Sequence, residues 1–241
     1  PTFQRLNADE DCLPVWLNDA GVTTALYGKY LNEYPTRPDG IRYVPPGWDE
    51  WAVPISRGDS YSGYSYTLND NGELVRYGTK PTDFLGDVLN DKARNFIGST
   101  PEPFFLYLSL NAPHSPYKVP KKWSAPYRDT VKWKGGAEFY GMITNFDHNV
   151  GRLRNKLNEL NIADNTILIF MTDNGTAKGN GGKGLVEGDF RGFTAGMRGM
   201  KSTLFEGGHR VPFFIHWPAG GLTGGKDRAQ LTAHLDVLPT L

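Results

Sequence analysis

Phe104-Phe105-Leu106-Tyr107-Leu108-Ser109-Leu110 runs directly into Asn111-Ala112-Pro113-His114-Ser115-Pro116. A nearly unbroken apolar run of this length, ended by a polar, proline-rich turn, reads as a strand covered on both faces of a sheet. The same pattern recurs. Thr166–Thr172 is apolar and leads into Asp173-Asn174-Gly175, and Thr23–Tyr27 is β-rich and leads into Gly28-Lys29. A fourth strand, Val211–Trp217, follows Glu206-Gly207-Gly208-His209-Arg210 and stops at Pro218. Helical stripes lie between. Asp11–Ala20 carries Leu13, Trp16 and Leu17 and ends at Gly21, a suitable C-terminal cap. Thr82 is placed to cap Asp83–Ile97, where Phe84, Leu85, Val88, Leu89, Ala93, Phe96 and Ile97 share one face. Ala137–Leu160 presents Met142, Ile143, Phe146, Val150, Leu153 and Leu157 in the same way. Strands alternating with helices predict a layered α/β fold around a mostly parallel sheet.

Outward from these elements, the stretch Pro35–Lys80 differs in being dense in Gly, Pro, Tyr and Trp. Within it, Tyr64–Leu68 and Glu73–Tyr77 flank Asn69-Asp70-Asn71-Gly72, which predicts a β-hairpin with an Asn-Gly turn. The stretch reads as a hairpin-bearing insertion. Its Trp48, Trp51 and tyrosines either pack down a loop-rich insert or line a substrate cleft.

The 241 residues suit one large domain or one domain with a small annex. Lys plus Arg and Asp plus Glu are 26 each, with no long run of one sign. Nucleic acid is therefore not an expected partner, because non-specific binding to it needs a basic face that displaces counterions. A 39% hydrophobic content supports a packed core. The longest apolar runs fall far short of the roughly 20 residues of a membrane-spanning helix. The single Cys12 makes no internal disulfide and no thiolate cluster. Pro1 stands first, without initiator Met or leader, and the chain reads as a mature form or a piece of a longer polypeptide.

In parallel α/β sheets, ligands bind beyond the carboxyl ends of the strands. Asp173 and Asn174 place two hard oxygen donors after one such strand, which suits Ca²⁺ or Mg²⁺; the alternative is an Asx turn that closes the strand. Lys29, His114 and Lys201 stand at the other predicted ends. Singly, each is an ordinary surface or loop residue. Together with a cation they make a site for a tetrahedral oxyanion.

Ala25–Tyr30, Ala112-Pro113-His114, Thr172–Gly175 and Lys201 with Glu206–Pro212 together resemble the sulfatase family of the alkaline-phosphatase-like superfamily. The resemblance covers about Leu13 to Leu241, with the motifs in family order. Gly28–Tyr34 is most similar to the N-acetylglucosamine-6-sulfatase branch. Tyr140–Met142, Val150–Arg152 and Gly196–Gly199 are more similar to bacterial arylsulfatases. The resemblance implies a three-layer α/β/α sandwich. It also implies hydrolysis of a sulfate ester, on a sulfated carbohydrate or an aryl sulfate, by a formylglycine hydrate with Ca²⁺. It makes Asp173 and Asn174 metal ligands, Lys29 and Lys201 sulfate contacts, and His114 the group beside the leaving oxygen. A periplasmic, extracellular or lysosomal location is expected from the same resemblance.

The chain departs from the family in three places. Leu31 stands where many sulfatases have a histidine two residues after the motif lysine. Cys12-Leu13-Pro14-Val15-Trp16 has Trp where the nucleophile signature needs Arg. Ser124-Ala125-Pro126-Tyr127-Arg128 keeps the Arg but follows the His114 motif instead of preceding Gly28-Lys29. Neither is expected to be the nucleophile, and no Asp pair after a strand precedes Lys29. The expectation is a single sulfatase-type domain, 1–241, that lacks its amino-terminal nucleophile segment and is inactive alone. The alternatives are a phosphodiesterase or phosphonate hydrolase of the same superfamily, and a non-catalytic module that binds sulfated glycans. Asp147 and His148 read as a capping or surface pair and His234 as structural; Lys183 and Arg198, in the Gly-rich stretch after Asp173, are candidates for reaching a substrate.

Overall fold

The computed structural model describes residues 6–32, 34, 40–177 and 194–240. In chain order the elements are α1 (Leu13–Asp19), β1 (Thr23–Gly28), β2 (Glu50–Pro54), α2 (Arg57–Ser62), β3 (Thr67–Asp70), β4 (Glu73–Arg76) and α3 (Leu85–Ser99). There follow β5 (Phe104–Ser109), α4 (Lys121–Ser124), α5 (Gly136–Glu159), β6 (Leu168–Met171), α6 (Glu206–His209), β7 (Phe213–His216) and α7 (Val237–Thr240). The fold is α/β, as the alternation predicts.

Five strands form a mixed sheet in the order β4-β3-β2-β1-β5. Around β1 the pairing is parallel on both sides, to β2 and to β5. The outer pairs β2–β3 and β3–β4 are antiparallel. All four sequence-predicted strands form, but β7 runs antiparallel to β6, and these two make a separate sheet. The β3–β4 turn follows the Asn-Gly reading: Asn71 and Gly72 have φ of 50° and 88°, the pair of positive values that a two-residue hairpin turn requires.

Strand alternation sorts the core into two faces. Ala25, Tyr27, Ala52 and Leu68 face α3 and α5 and pack with Leu85, Leu89, Phe96 and Leu157. On the opposite face Leu26, Trp51 and Val53 are covered by Tyr30, Tyr34, Val44 and Trp48. So Trp51 is a buried residue of the sheet and Trp48 packs over it, and β2, β3 and β4 of that stretch belong to the sheet itself. Tyr34 ties this cover down. Its hydroxyl accepts from Trp51 Nε1 at 3.2 Å and Asn69 Nδ2 at 2.8 Å and donates to the Tyr43 carbonyl at 2.5 Å.

Thr82 is not the helix cap. Pro81–Asp83 forms a 3-10 turn instead, in which the Asp83 carboxylate accepts from the amides of Lys80 and Gly78, and α3 starts after Phe84. Buried polar side chains join α3 to α5. Asp87 accepts from Asn145 Nδ2 at 2.8 Å and Asn149 Nδ2 at 2.9 Å. The small sheet packs on α5 through Phe170 of β6 against Phe146, with ring centroids 5.5 Å apart, and Asn165, ahead of β6, donates to Glu102, ahead of β5, at 3.3 Å. No helix among the described residues is long and apolar enough to cross a membrane.

Candidate active site

Lys29 and His114 leave neighbouring strand ends. The β1–β5 ladder pairs Gly28 with Ser109, and the Lys29 amide continues it by donating to the Ser109 carbonyl at 2.8 Å. Such closeness needs glycine at 28: a Cβ there would lie 1.9 Å from the Ser109 oxygen. The chain then leaves β5 into a turn closed by the His114 amide on the Asn111 carbonyl at 2.8 Å. Thus the motif lysine and the motif histidine come from the carboxyl ends of paired parallel strands, where the fold rule puts ligand groups. Lys29 Nζ donates to the Tyr30 carbonyl at 3.3 Å.

The histidine is fixed by two contacts. Nδ1 lies 2.5 Å from the Ser115 carbonyl oxygen, which only accepts, so Nδ1 carries a proton. The ring lies face to face with Tyr61, with centroids 3.8 Å apart and planes 19° apart. Nε2 is left to accept when the imidazole is neutral and to donate when it is cationic.

Asp173, Asn174 and Lys201 are brought together by close-packed backbone. Gly175 N donates to Gly208 O at 2.9 Å, Lys201 N to Thr176 O at 2.9 Å, and Gly207 N to Arg198 O at 2.8 Å. A Cβ on Gly175 would lie 1.9 Å from the Gly207 oxygen, so this approach is possible only without one. The glycines of the Asp-Asn-Gly and Glu-Gly-Gly motifs therefore serve one purpose: they let the loop after β6 and the turn before β7 touch. His234 Nε2 supports the same loop by hydrogen bonding the Thr172 carbonyl at 3.0 Å, which agrees with a structural role.

Asp173 is exposed and Asn174 half-buried. Asn174 Nδ2 donates to the Gly175 carbonyl at 2.9 Å, which leaves Oδ1 as its acceptor. The pair thus offers hard oxygens of the type Ca²⁺ takes, in a number below the six to eight of a full shell. Among the described residues no group of three or more His, Cys, Asp or Glu side chains forms a metal cluster.

The two nucleophile imitations have other work. Ser124 is buried; its hydroxyl accepts from Arg128 Nη2 at 3.3 Å, and Arg128 also pairs with Glu138 at 3.3 Å. Cys12 precedes α1, its Sγ 3.6 Å from the Asp9 carbonyl, and burial pushes its thiol above the ordinary range, away from thiolate character. His148 rests on Trp123, with ring centroids 4.9 Å apart. Arg198 lies over Phe205 at 3.7 Å, close in sequence to Lys201. Lys183 lies outside the described residues. Sequence reasoning missed Tyr61, which no periodicity singles out.

The fold is that of an α/β protein in which Lys29 and His114 follow paired strands of the large sheet, and Lys201 is bonded through its backbone to the loop after β6 that carries Asp173 and Asn174. The chain belongs to the sulfatase family, whose sequence profile matches residues 2–241. It is 28% identical to the extracellular sulfatase SULF-1 homolog of Drosophila melanogaster, over 93% of this chain and 22% of that protein. It is 26% identical to the N-acetylglucosamine-6-sulfatase of Homo sapiens, over all of this chain and 47% of that protein. The crystal structure of Ps i-CgsB in complex with k-i-k-neocarrahexaose superposes with a TM-score of 0.75 at 27% identity, covering 94% of this chain and 51% of that one. The chain thus spans between about a fifth and about half of the length of these relatives.

Proposed function

We propose that the chain contributes the sulfate clamp and part of the metal site of a sulfuric ester hydrolase acting on a sulfated glycan. One observation carries this reading: Lys201 is bonded through its backbone to the loop that holds Asp173 and Asn174. A cation and hard oxygen donors on one scaffold suit a doubly charged tetrahedral anion beside a divalent ion. Lys29 and His114, at the paired ends of β1 and β5, complete the cationic side in this proposal. One relative is named for a sulfated amino sugar and another as an extracellular sulfatase, and both a sulfated sugar and a site of action outside the cytoplasm are part of the reading.

In the proposed reaction Lys29 and Lys201 stabilise the charge that gathers on the non-bridging sulfate oxygens. His114 stands at the leaving oxygen and, in its cationic form, delivers the Nε2 proton and is left as the neutral ring whose Nδ1 proton is held by Ser115. Asp173 and Asn174 would hold Ca²⁺, which supplies Lewis acidity to the sulfate. The family's formylglycine nucleophile is assigned to neither Cys12 nor Ser124.

The test uses the intact protein and N-acetylglucosamine 6-sulfate, with released sulfate measured. Lys29→Ala and Lys201→Ala are each expected to lower kcat/KM about a hundredfold or more. Turnover unaffected by either replacement overturns the reading. So does faster hydrolysis of a phosphate diester or phosphonate ester than of the sulfate ester.

A further inference from the structure

Tyr61 is the part of the molecule that the sequence left unassigned and the structure places against a candidate catalytic group. It sits near the end of α2, a helix fixed at both ends. The Ser56 hydroxyl accepts from the Asp59 amide at 3.0 Å at one end, and Gly63, with φ of 71°, closes the other. Beyond Gly63 the chain is anchored again, since the Leu85 amide donates to the Gly63 carbonyl at 2.9 Å. The tyrosine ring is therefore presented from a rigid support.

Resting on the function proposed above, we propose that Tyr61 is a positioning residue for His114. A hydrogen bond from Nδ1 to the Ser115 carbonyl fixes one point of the imidazole and leaves the ring free to pivot about it. The Tyr61 face, 3.8 Å from the imidazole centroid and 19° from coplanar, removes that freedom. The two contacts together hold the Nδ1–H form and aim Nε2 at one place. Stacking needs a flat ring and no hydroxyl, so phenylalanine should serve where an aliphatic side chain would not. A general acid gains most when the leaving group is poor, so misaiming Nε2 should cost more on a sugar sulfate than on an activated aryl sulfate.

The test compares Tyr61→Leu, Tyr61→Gln and Tyr61→Phe in the intact protein by two independent readouts. The first is the nitrogen-15 spectrum of His114, which reports the tautomer without any need for turnover. The second is kcat and KM on N-acetylglucosamine 6-sulfate and on 4-nitrophenyl sulfate. Tyr61→Leu is expected to mix the His114 tautomers and to lower kcat on the sugar sulfate about tenfold to a hundredfold, with KM nearly unchanged and a much smaller loss on the aryl sulfate. Tyr61→Gln should repeat this, and stands in if Tyr61→Leu does not fold. Tyr61→Phe should recover both signals. The proposal is overturned if the ring-less variants keep the native tautomer, or if Tyr61→Phe falls as far as they do. If the tautomer changes as expected while no variant nor the native protein hydrolyses sulfate, the positioning holds and the function assigned to the site fails.

Discussion

At the scale of single residues, Ser124 and Gly175 make opposite predictions. Ser124 is buried and held by hydrogen bonds of 3.3 and 3.4 Å, to Arg128 and the Lys121 carbonyl. Ser124→Ala should therefore cost about 1 kcal/mol or less in urea denaturation and leave sulfate release unchanged; a large loss of turnover would make this serine a nucleophile after all. Gly175 is different, because any side chain there meets the Gly207 carbonyl. Backbone cannot rotate aside as a side chain can, so Gly175→Ala should destabilise by about 1–3 kcal/mol and displace Asp173 and Asn174. The expected result is a lower melting temperature with a loss of the thermal shift on adding calcium; an alanine variant that keeps both would mean the two turns need not touch. The sequence showed Asp173, Asn174, Lys29, His114 and Lys201 because each follows or precedes an apolar strand at a polar junction. It did not show Tyr61, whose partner lies 53 positions away in the chain (61 to 114) and whose own surroundings, Gly58-Asp59-Ser60, resemble any surface turn.

At the scale of elements, the joint between α3 and α5 is polar where the helical stripes alone would make it apolar. Asn149, fully buried, donates to Asp87 at 2.9 Å and accepts from Arg152 at 3.1 Å, while Asn90 donates to its carbonyl at 3.1 Å. Removing its side chain deprives a carboxylate and a guanidinium of partners at once. Asn149→Ala should cost about 2 kcal/mol or more in equilibrium unfolding, and Asn149→Leu should do no better, since filling the volume does not restore the donor to Asp87. A near-neutral Asn149→Leu would show that Asp87 is adequately solvated without it. Hydrophobic periodicity finds helices by their apolar faces, so it located both helices to within a residue or two and said nothing about this seam. It also found the β3–β4 hairpin through its Asn-Gly turn. It passed over β2, because Glu50–Pro54 is short, ends in proline and sits among aromatic residues that read equally well as loop.

At the scale of the whole molecule, the two faces of the large sheet share a dependence on neutral tyrosines. Tyr27, Tyr66 and Tyr77 lie in or against the core beneath α3 and α5, and Tyr34 lies in the cover of the opposite face. Burial is the first cause that raises the phenol pKa of each; neighbouring carboxylates add to it at Tyr27 and Tyr66, while Lys92 offsets part of it at Tyr77 and the hydrogen bonds from Asn69 and Trp51 offset part of it at Tyr34. The consequence for stability has a definite sign. Below the unfolded-state value of about 10, both folded and unfolded chains keep these phenols protonated, and the contribution is complete. As the pH rises through about 10, the unfolded chain ionises first and its free energy is lowered more than that of the folded chain, so stability falls progressively above that point. Tyrosinate absorbance and circular dichroism recorded together should therefore show ionisation of the buried tyrosines coinciding with loss of structure, as one cooperative alkaline transition. If all the phenols titrate near their ordinary value while the dichroism stays native, the aromatic cover of the sheet is open to solvent, and the packing assigned to Tyr34, Trp48 and Trp51 is wrong.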